Sequence, residues 1–413
     1  MTAEMAGIEK QVLRIAKRKL GNVEPGGTLV GPRLGTGGGY SGIFLWDTAF
    51  TVLWAKYHTS DLPVENSLDN LYLLQEDDGF ICREYTADGL PAWPKEHPIS
   101  FAPPLLAWAE LDLYAQLGRK ERLARVFPNL KKHHEYCLDC FGRRDGLFIG
   151  DPWGSGMDNL PRWPRDFQGS DDCLSIREEK VHPSVLKWFR ESVRGSRAAC
   201  WNEQARYIDM SAQMAFNASC LKRMALLLDA PIDAEMYSRQ HEAIGSAINE
   251  RCWDARHQFY FDLGYGARIP RFHIGAYWTL MAGVVPQNRL DGFLGHLRNP
   301  NRFGRPVPVP SLAADEPDYR KDGGYWLGSS WPPTTYMVLR GLRAVGDEDT
   351  AIALAGKYFD ATRTVFKNTG TFWENLSPET PAPGSQSVPD FCGWAGLGPV
   401  AVAREFVSTG NRS

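Results

Sequence analysis

Two carboxylates stand in loops whose composition suits chemistry better than punctuation. Asp158 lies in "GSGMDNLPRW", among small residues, a proline, an arginine and an indole. Glu374 lies in "GTFWENLSPET", between Trp373 and Asn375. Glycine and the Asn-Leu-Pro step prevent a long regular element at Asp158, and a plain surface turn has no need of Met, Trp and Arg as well. Each acid taken alone reads as a cap or a turn residue. Taken together, in the aromatic loops of one helical array, they read as a pair facing a cleft. Cleavage of a glycosidic bond needs such a pair: one carboxyl group protonated to deliver a proton to the leaving oxygen, the other ionised to activate water. Different surroundings push the two pKa values apart.

The elements that must hold these loops are helices. Apolar residues recur mostly at spacings of three and four, not two. About twelve helical stretches are predicted, near 7–20, 46–58, 63–75, 101–117, 119–140, 205–229, 233–252, 272–284, 287–297, 329–345, 347–366 and 391–407. Short polar turns such as Leu117-Gly118-Arg119 alternate with long loops rich in Gly, Pro and aromatic residues. Hairpins stacked in a ring put the short turns at one end and the long loops at the other, and long loops in a compact domain are usually functional. The expected fold is therefore all-α, an (α/α)6 barrel of about six helical hairpins whose long loops form the active-site face. A solenoid of helical pairs shares the rhythm, but no fixed-period repeat supports it. The chain, 1–413, reads as one catalytic domain. Its segment at about 164–204 does not fit the hairpins. It carries Arg165, Arg177, Lys180, Lys187, Arg190, Arg194 and Arg197 interleaved with acids, with a short helix expected near 183–194. It is either a solvated surface excursion or a lid over the site that begins at Asp158.

Composition narrows the partners. The formal net charge of -3 on 413 residues leaves no nucleic-acid footprint and no polybasic membrane patch. No apolar run approaches the roughly 20 residues of a membrane span, and the segment after Met1 reads as an amphipathic helix without a signal-peptide core. Fourteen tryptophans and 12% aromatic residues suit a core and equally suit the apolar faces of sugar rings. Eight scattered cysteines make no disulfide framework in a chain this long. Cys137 and Cys140 form a C-x-x-C with no second pair or nearby His to complete a zinc site. The expectation is a cytoplasmic protein.

Six segments, in order, resemble glycoside hydrolase family 63 and its trehalase relatives. "GSGMDNLPRW" resembles the family's G-x-D-N-S-P-R block, and "FLWDTAF" its W-D-T-x-F. "DDGFICREY" resembles D-G-F-I-x-R-E. "GGYWLGSSWPPTTYMVLRGL" resembles G-Y-W-x-G-x-x-W-P-x-x-x-Y. "FWENLSPE" resembles W-E-N-Y-S-P, and "GWAGLGP" the small-residue segment that follows. The blocks run from about Tyr40 to Pro399, and the compact length most resembles the bacterial mannosylglycerate and glucosylglycerate hydrolases. The resemblance implies an (α/α)6 barrel and inverting hydrolysis of α-glycosides. It implies Asp158 as general acid and Glu374 as general base, without metal or cofactor. Inversion leaves room for a water, so a separation of about 6.5–9.5 Å between the carboxyl groups is expected.

Supporting roles follow. Asp47 would accept hydrogen bonds from sugar hydroxyls in the −1 subsite, or else cap the helix it opens. Arg83 and Glu84 position sugar hydroxyls or form a structural ion pair. Arg162 holds Asp158 in place or binds substrate. Tyr40, Trp46, Trp326, Trp331 and Trp373 are candidates for the apolar walls, or pack between helices. Leu160 and Leu376 depart from the family, which has Ser and Tyr there. Both changes remove a hydroxyl near a catalytic acid, and Leu160 would make the surroundings of Asp158 drier and raise its pKa.

Two other function classes share this architecture. Sugar 2-epimerases use paired histidines, whereas the nine here are dispersed, and His133 and His134 point to different faces of one helix. A catalytically degenerate sugar-binding protein is opposed by the retention of both acids. The sequence leaves open the sugar, the linkage, the aglycone, any arginine for an acidic aglycone, and the oligomeric state. The partner expected is a small carbohydrate.

Overall fold

The computed structural model describes residues 2–22, 27–95, 97–164, 178–193 and 204–408. Among them the helices run, in chain order, α1 (Ala3–Arg18), α2 (Leu45–Ala55), α3 (Val64–Leu73), α4 (Leu106–Leu117), α5 (Lys120–Phe141), α6 (Pro183–Trp188), α7 (Ile208–Leu227), α8 (Pro231–Arg251), α9 (Trp278–Met281, continuing a 3₁₀ turn at Ile274–Tyr277), α10 (Gln287–Arg298), α11 (Pro332–Ala344) and α12 (Glu348–Thr369). The last is a 3₁₀ turn at Trp394–Leu397 that runs into a π-helix, Gly398–Val407.

These helices form two concentric layers. In the inner layer α2 packs on α4, α4 on α7, α7 on α9, and α9 on α11. Helix α11 meets the final helix, which returns to α2 and closes the ring. Outside them, α3 covers α2, α5 covers α4, α8 covers α7, α12 covers α11, and α1 covers the final helix. Helix α10 is held to the α9 turn by the Tyr277 hydroxyl, which donates to Phe293 O at 3.2 Å. The fold is an (α/α)6 barrel. Its pairs are not all consecutive hairpins, since the first helix of the chain covers the last.

The layers follow from sequence. Helix α2, "LWDTAFTVLWA", is apolar nearly all round and buried nearly all round, as an inner helix must be. Helix α5 buries Leu123, Val126, Phe127, Leu130 and Cys137 and turns its lysines and acids outward. Gly118, at φ 71, ends α4 in the left-handed conformation and lets α5 start two residues later. Links from an inner helix to its outer partner are short, whereas the returns, such as 74–105, 142–207 and 299–331, are long. The long loops therefore gather at the N-terminal ends of the inner helices. Short antiparallel pairings brace them: β1 (Ile43–Phe44) with β2 (Glu84–Tyr85), and β3 (Ala205–Arg206) with β6 (Asp262–Gly264). In the same loops β4 (Trp253–Asp254) pairs β5 (Phe259–Tyr260), and β6 pairs β7 (Ala267–Ile269).

The barrel axis is filled. Trp46 packs against Phe50 with ring centroids 4.9 Å apart, Phe50 against Trp108 at 5.8 Å, and Trp108 stacks on Tyr336 at 6.0 Å. Beyond this aromatic column, Lys56 and Arg340 meet Asp112 and Glu405 in a balanced ion cluster, with Lys56 Nζ 3.1 Å from Glu405 Oε1. Among the described residues a cavity opens at the loop end of the barrel, beside Trp46.

Of the 164–204 excursion, residues 165–177 and 194–203 lie outside the described residues, and with them Arg165, Arg177, Arg194 and Arg197. The described part is α6 followed by a π-turn at Phe189–Val193. It is docked on the barrel, with Val181 and Phe189 buried. No helix among the described residues is long and apolar enough to cross a membrane.

Candidate active site

Local backbone chemistry brings the two acids together. In the 151–164 loop, Asp151 Oδ1 accepts from Trp153 N at 2.9 Å and Gly154 N at 3.1 Å, an Asx turn that starts the reversal. Gly156 has φ 77, and a Cβ there would stand 3.3 Å from the Trp46 indole. The loop can lie on Trp46 only because this residue is glycine. Leu160 N donates to Met157 O at 3.1 Å, closing the turn that presents Asp158. Glu374 is set by a second loop: its N–H donates to Val388 O at 3.0 Å, and its carbonyl accepts from Trp394 Nε1 at 2.9 Å. Asp47 enters on the first turn of α2, and β1–β2 pairing lays Arg83 and Glu84 beside it, with Leu45 N donating to Arg83 O at 3.0 Å.

All of these meet in one cavity of about 340 Å³, a volume suited to a small ligand. Tyr40, Trp46, Asp47, Arg83, Glu84, Asp158 and Glu374, all singled out in the sequence, line it. Four other candidates lie elsewhere. Trp326 and Trp331 are buried and stacked face to face, centroids 3.9 Å apart, behind the wall. Trp373 turns away and donates to Thr369 Oγ1 at 3.1 Å. Arg162 is fully buried and paired with Asp209 and Asp262, its guanidinium over the Tyr207 ring at 4.2 Å. It anchors the Asp158 loop and does not reach the cavity. Leu160 and Leu376 are buried and do not line the cavity either.

Sequence reasoning missed several lining residues: Phe44, Trp153, Tyr325, Phe391, Trp394, and Ser184 and Val185 of α6. A signal existed for some. Tyr325 and Trp394 belong to the "GGYWLG" and "GWAGLGP" blocks. In the first block the residue that lines the cavity is Tyr325, one position before Trp326. Tyr325 has φ 64, a strained value for a tyrosine, of the kind that collects at functional sites. Its ring meets Trp331 edge to face at 4.9 Å.

The electrostatics are those of crowded, buried acids. Burial pushes Asp158 up to about 7; Asp151 and Glu84 raise it further and Arg83 opposes them. Burial, followed by the charges of Asp47 and Asp158, pushes Glu374 up to about 8, against hydrogen bonds from the Val388 backbone and the Tyr40 hydroxyl. Asp47 is also pushed up to about 8, by burial first, with Glu84 and Asp158 adding to it. Glu374 Oε2 is buried with no hydrogen-bond partner, which adds to the cost of ionising the group. Arg83 is held by a hydrogen bond to Trp153 O, lies 3.8 Å from Glu84 and sits over the Trp93 ring at 5.0 Å. Three acids that resist ionisation together can keep one protonated as a donor while another serves as acceptor.

Among the described residues no histidine lines the cavity, and none of their His, Cys, Asp or Glu side chains form a group that could hold a metal ion. His133 and His134 are buried on α5, where His134 lies 3.0 Å from Gln240 and 2.8 Å from Asn217. The six described cysteines are free thiols.

Known proteins are similar to this chain in sequence and fold. A mannosylglycerate hydrolase of Rubrobacter radiotolerans is 25% identical over 412 residues, covering 86% of this chain and 88% of that one. A probable mannosyl-oligosaccharide glucosidase of Schizosaccharomyces pombe is also 25% identical, over 86% of this chain but 48% of its own. This chain spans 62% and 48% of the lengths of two of the curated relatives it matches. A crystal structure of a family 63 mannosylglycerate hydrolase from Thermus thermophilus in complex with glucose superposes with a TM-score of 0.72 at 21% identity, covering 95% and 98% of the two chains. The family described as the mannosylglycerate hydrolase MGH1-like glycoside hydrolase domain matches residues 40–396, from the tyrosine at the cavity rim to the loop after Glu374, and the chain belongs to it.

Proposed function

We propose that this chain is an inverting glycoside hydrolase that cleaves the α-glycosidic bond of a small α-glucoside, α-mannoside or glycosylglycerate. The observation that carries the reading is the convergence of Asp158 and Glu374, from loops of distant sequence, on one aromatic-lined cavity where burial raises both pKa values. Asp158, protonated, gives its proton to the glycosidic oxygen as the bond to the anomeric carbon breaks. Glu374, ionised, takes a proton from a water whose oxygen attacks that carbon from the opposite face. The products are a β-configured sugar and the free alcohol, and exchange of protons with solvent resets both acids. Trp46 forms the floor beneath the sugar, Tyr40 the rim beside Glu374, and Asp47, Arg83 and Glu84 the hydroxyl-binding groups of the −1 subsite. The chain acts as one catalytic domain, and its free thiols suit a reducing cytoplasm.

The relatives support the substrate class, since they bear the names mannosylglycerate hydrolase and mannosyl-oligosaccharide glucosidase. A panel of α-glucosides, α-mannosides and glycosylglycerates, with released sugar measured, tests the activity. Anomeric-proton NMR at early times tests the mechanism. First release of the β-anomer is expected, and the α-anomer would overturn the base role of Glu374.

A further inference from the structure

Arg83 and Glu84 are neighbours in sequence, and both line the cavity. Arg83 leads into β2, its N–H donating to Ser100 O at 2.9 Å and its carbonyl accepting from Leu45 N, and Glu84 begins the strand. In an extended chain successive side chains point to opposite faces, so contacts from outside the strand must turn both toward one space. Trp93 supplies them. The chain reverses after β2, with Gly89 at φ 90 in the turn and Tyr85 bridging Pro91, and Ala92 N donates to Glu84 O at 3.0 Å. That reversal lays Trp93 beside the pair. The tryptophan is buried, and the Arg83 guanidinium stands over its ring at 5.0 Å, a cation–π contact. Its Nε1 donates to Glu84 Oε2 at 2.8 Å.

The contacts converge on one oxygen. An Arg83 terminal nitrogen lies 3.8 Å from the same Glu84 Oε2, and Arg83 also donates to Trp153 O, on the loop of Asp158. One tryptophan therefore fixes the rotation of the Glu84 carboxylate and the plane on which the guanidinium rests. Through Trp153 the pair touches the loop that presents Asp158. The ring of Trp93 is gripped from its other neighbours too: Phe189, just beyond α6, is buried with its centroid 6.4 Å away. A buried indole N–H needs a partner, and here the partner is a carboxylate of the cavity. Side chains that meet a ligand keep a productive geometry only when a surrounding shell locks their rotamers. We propose that Trp93 is a positioning residue for the glycone. It holds Glu84 by Oε2 and Arg83 by its ring face, so that Glu84 Oε1 meets a sugar hydroxyl in the −1 subsite. Trp93 acts through these two residues, not on the sugar. This rests on the glycosidase reading above, which gives Arg83 and Glu84 to that subsite.

The test asks whether Trp93 works through Glu84 at one hydroxyl. Calorimetric titration with glucose, mannose and their monodeoxy analogues reads each hydroxyl without catalysis. The hydroxyl that Glu84 binds is the one whose removal costs affinity in the wild type but not in Glu84→Ala. Trp93→Phe keeps a ring for Arg83 and Phe189 and removes the N–H. It should weaken the parent sugar by about tenfold, the scale of a hydrogen bond to a charged group, and shrink the deoxy penalty at that hydroxyl alone. In a Glu84→Ala background the same change should add less than about twofold, since the two side chains act as one unit. Phe189→Ala leaves the N–H in place and frees the ring. It should give the same hydroxyl-selective loss on a smaller scale, and it decides the matter if Trp93→Phe does not fold. Equal losses at every hydroxyl, or losses that add to those of Glu84→Ala, would overturn the proposal and leave Trp93 a packing residue. So would a Glu84→Ala protein that binds every analogue as the wild type does, or a wild type that binds neither sugar. If the wild type shows the selectivity but cleaves no α-glycoside, the activity reading fails and the positioning role stands.

Discussion

The side chain of Asn159 accepts from Trp326 N at 2.8 Å while donating to Gly324 O at 3.0 Å, so the residue after Asp158 clamps the loop between α10 and α11. The clamp joins segments far apart in sequence and fixes the turn that presents Asp158. It also backs Tyr325, which lies between its two contacts.

Loss of the clamp should act through the acid. Asn159→Ala is expected to lower kcat by about 10- to 100-fold with a smaller change in KM, because slight misplacement of a reacting group is costly. A glycosyl fluoride, which needs little help from an acid, should suffer less. Steady-state kinetics on both substrates would check this, and equal losses would mean a general structural role.

The pH profile follows from the crowded acids. Asp158, raised to about 7, must keep its proton, so its ionisation sets the basic limb. Glu374, raised to about 8, must lose its proton, so its protonation sets the acidic limb. With the base above the acid, the productive form is a minor one, and kcat/KM should trace a bell centred near pH 7–8 whose limbs belong to the set of carboxyl groups. Glu374→Gln should abolish the acidic limb in whatever activity remains, and Asp158→Asn the basic limb. Asp47 raises Glu374, so Asp47→Asn should move the acidic limb to lower pH.

The same burial makes stability pH-dependent. The folded-state values of Asp158 and Glu374 lie above those of the unfolded chain, about 4. Their stabilising contribution is fully present below about pH 4 and is lost as pH rises through about 7 to 8. Glu374→Gln cannot ionise and should melt a few degrees (about 2–4 °C) above wild type at pH 9, with the gap closing by pH 4. Thermal melts at the two values check the sign. A Glu374→Gln protein less stable than wild type at pH 9 would show that the carboxylate is not strained by its surroundings.

Arg162 should matter for folding more than for binding. Its removal leaves Asp209 and Asp262 buried near each other, with His273 Nε2 3.1 Å from Asp262 as the remaining basic partner. Arg162→Met is expected to cost about 3–5 kcal/mol, measured by urea unfolding. A binding role would instead raise KM without lowering stability.

Much of the architecture is written in local pattern. The apolar surround of α2 and the one-sided burial of α5 mark inner and outer helices, because a residue's solvent exposure sets its type. The short Leu117-Gly118-Arg119 turn and the long aromatic loops identify the functional end. Asp158 and Glu374 stand out by the small, apolar and aromatic residues around them, and Asp47, Arg83 and Glu84 through the resemblance of their blocks to family 63. Other features depend on contacts between distant segments. That α1 covers the final helix is a matter of ring closure, which no local periodicity encodes. That Tyr325 lines the cavity while Trp326 stacks on Trp331 depends on a left-handed backbone at Tyr325 and on the Asn159 clamp. Arg162 reads either as an anchor of the Asp158 loop or as a substrate-binding arginine until Asp209 and Asp262 arrive from two other elements and bury it. Nothing in the sequence singles out Val185, an apolar residue in a charged excursion. Only the docking of Phe189 on Trp93 turns it toward the cavity, since direction in a short helix is set by what the helix packs against.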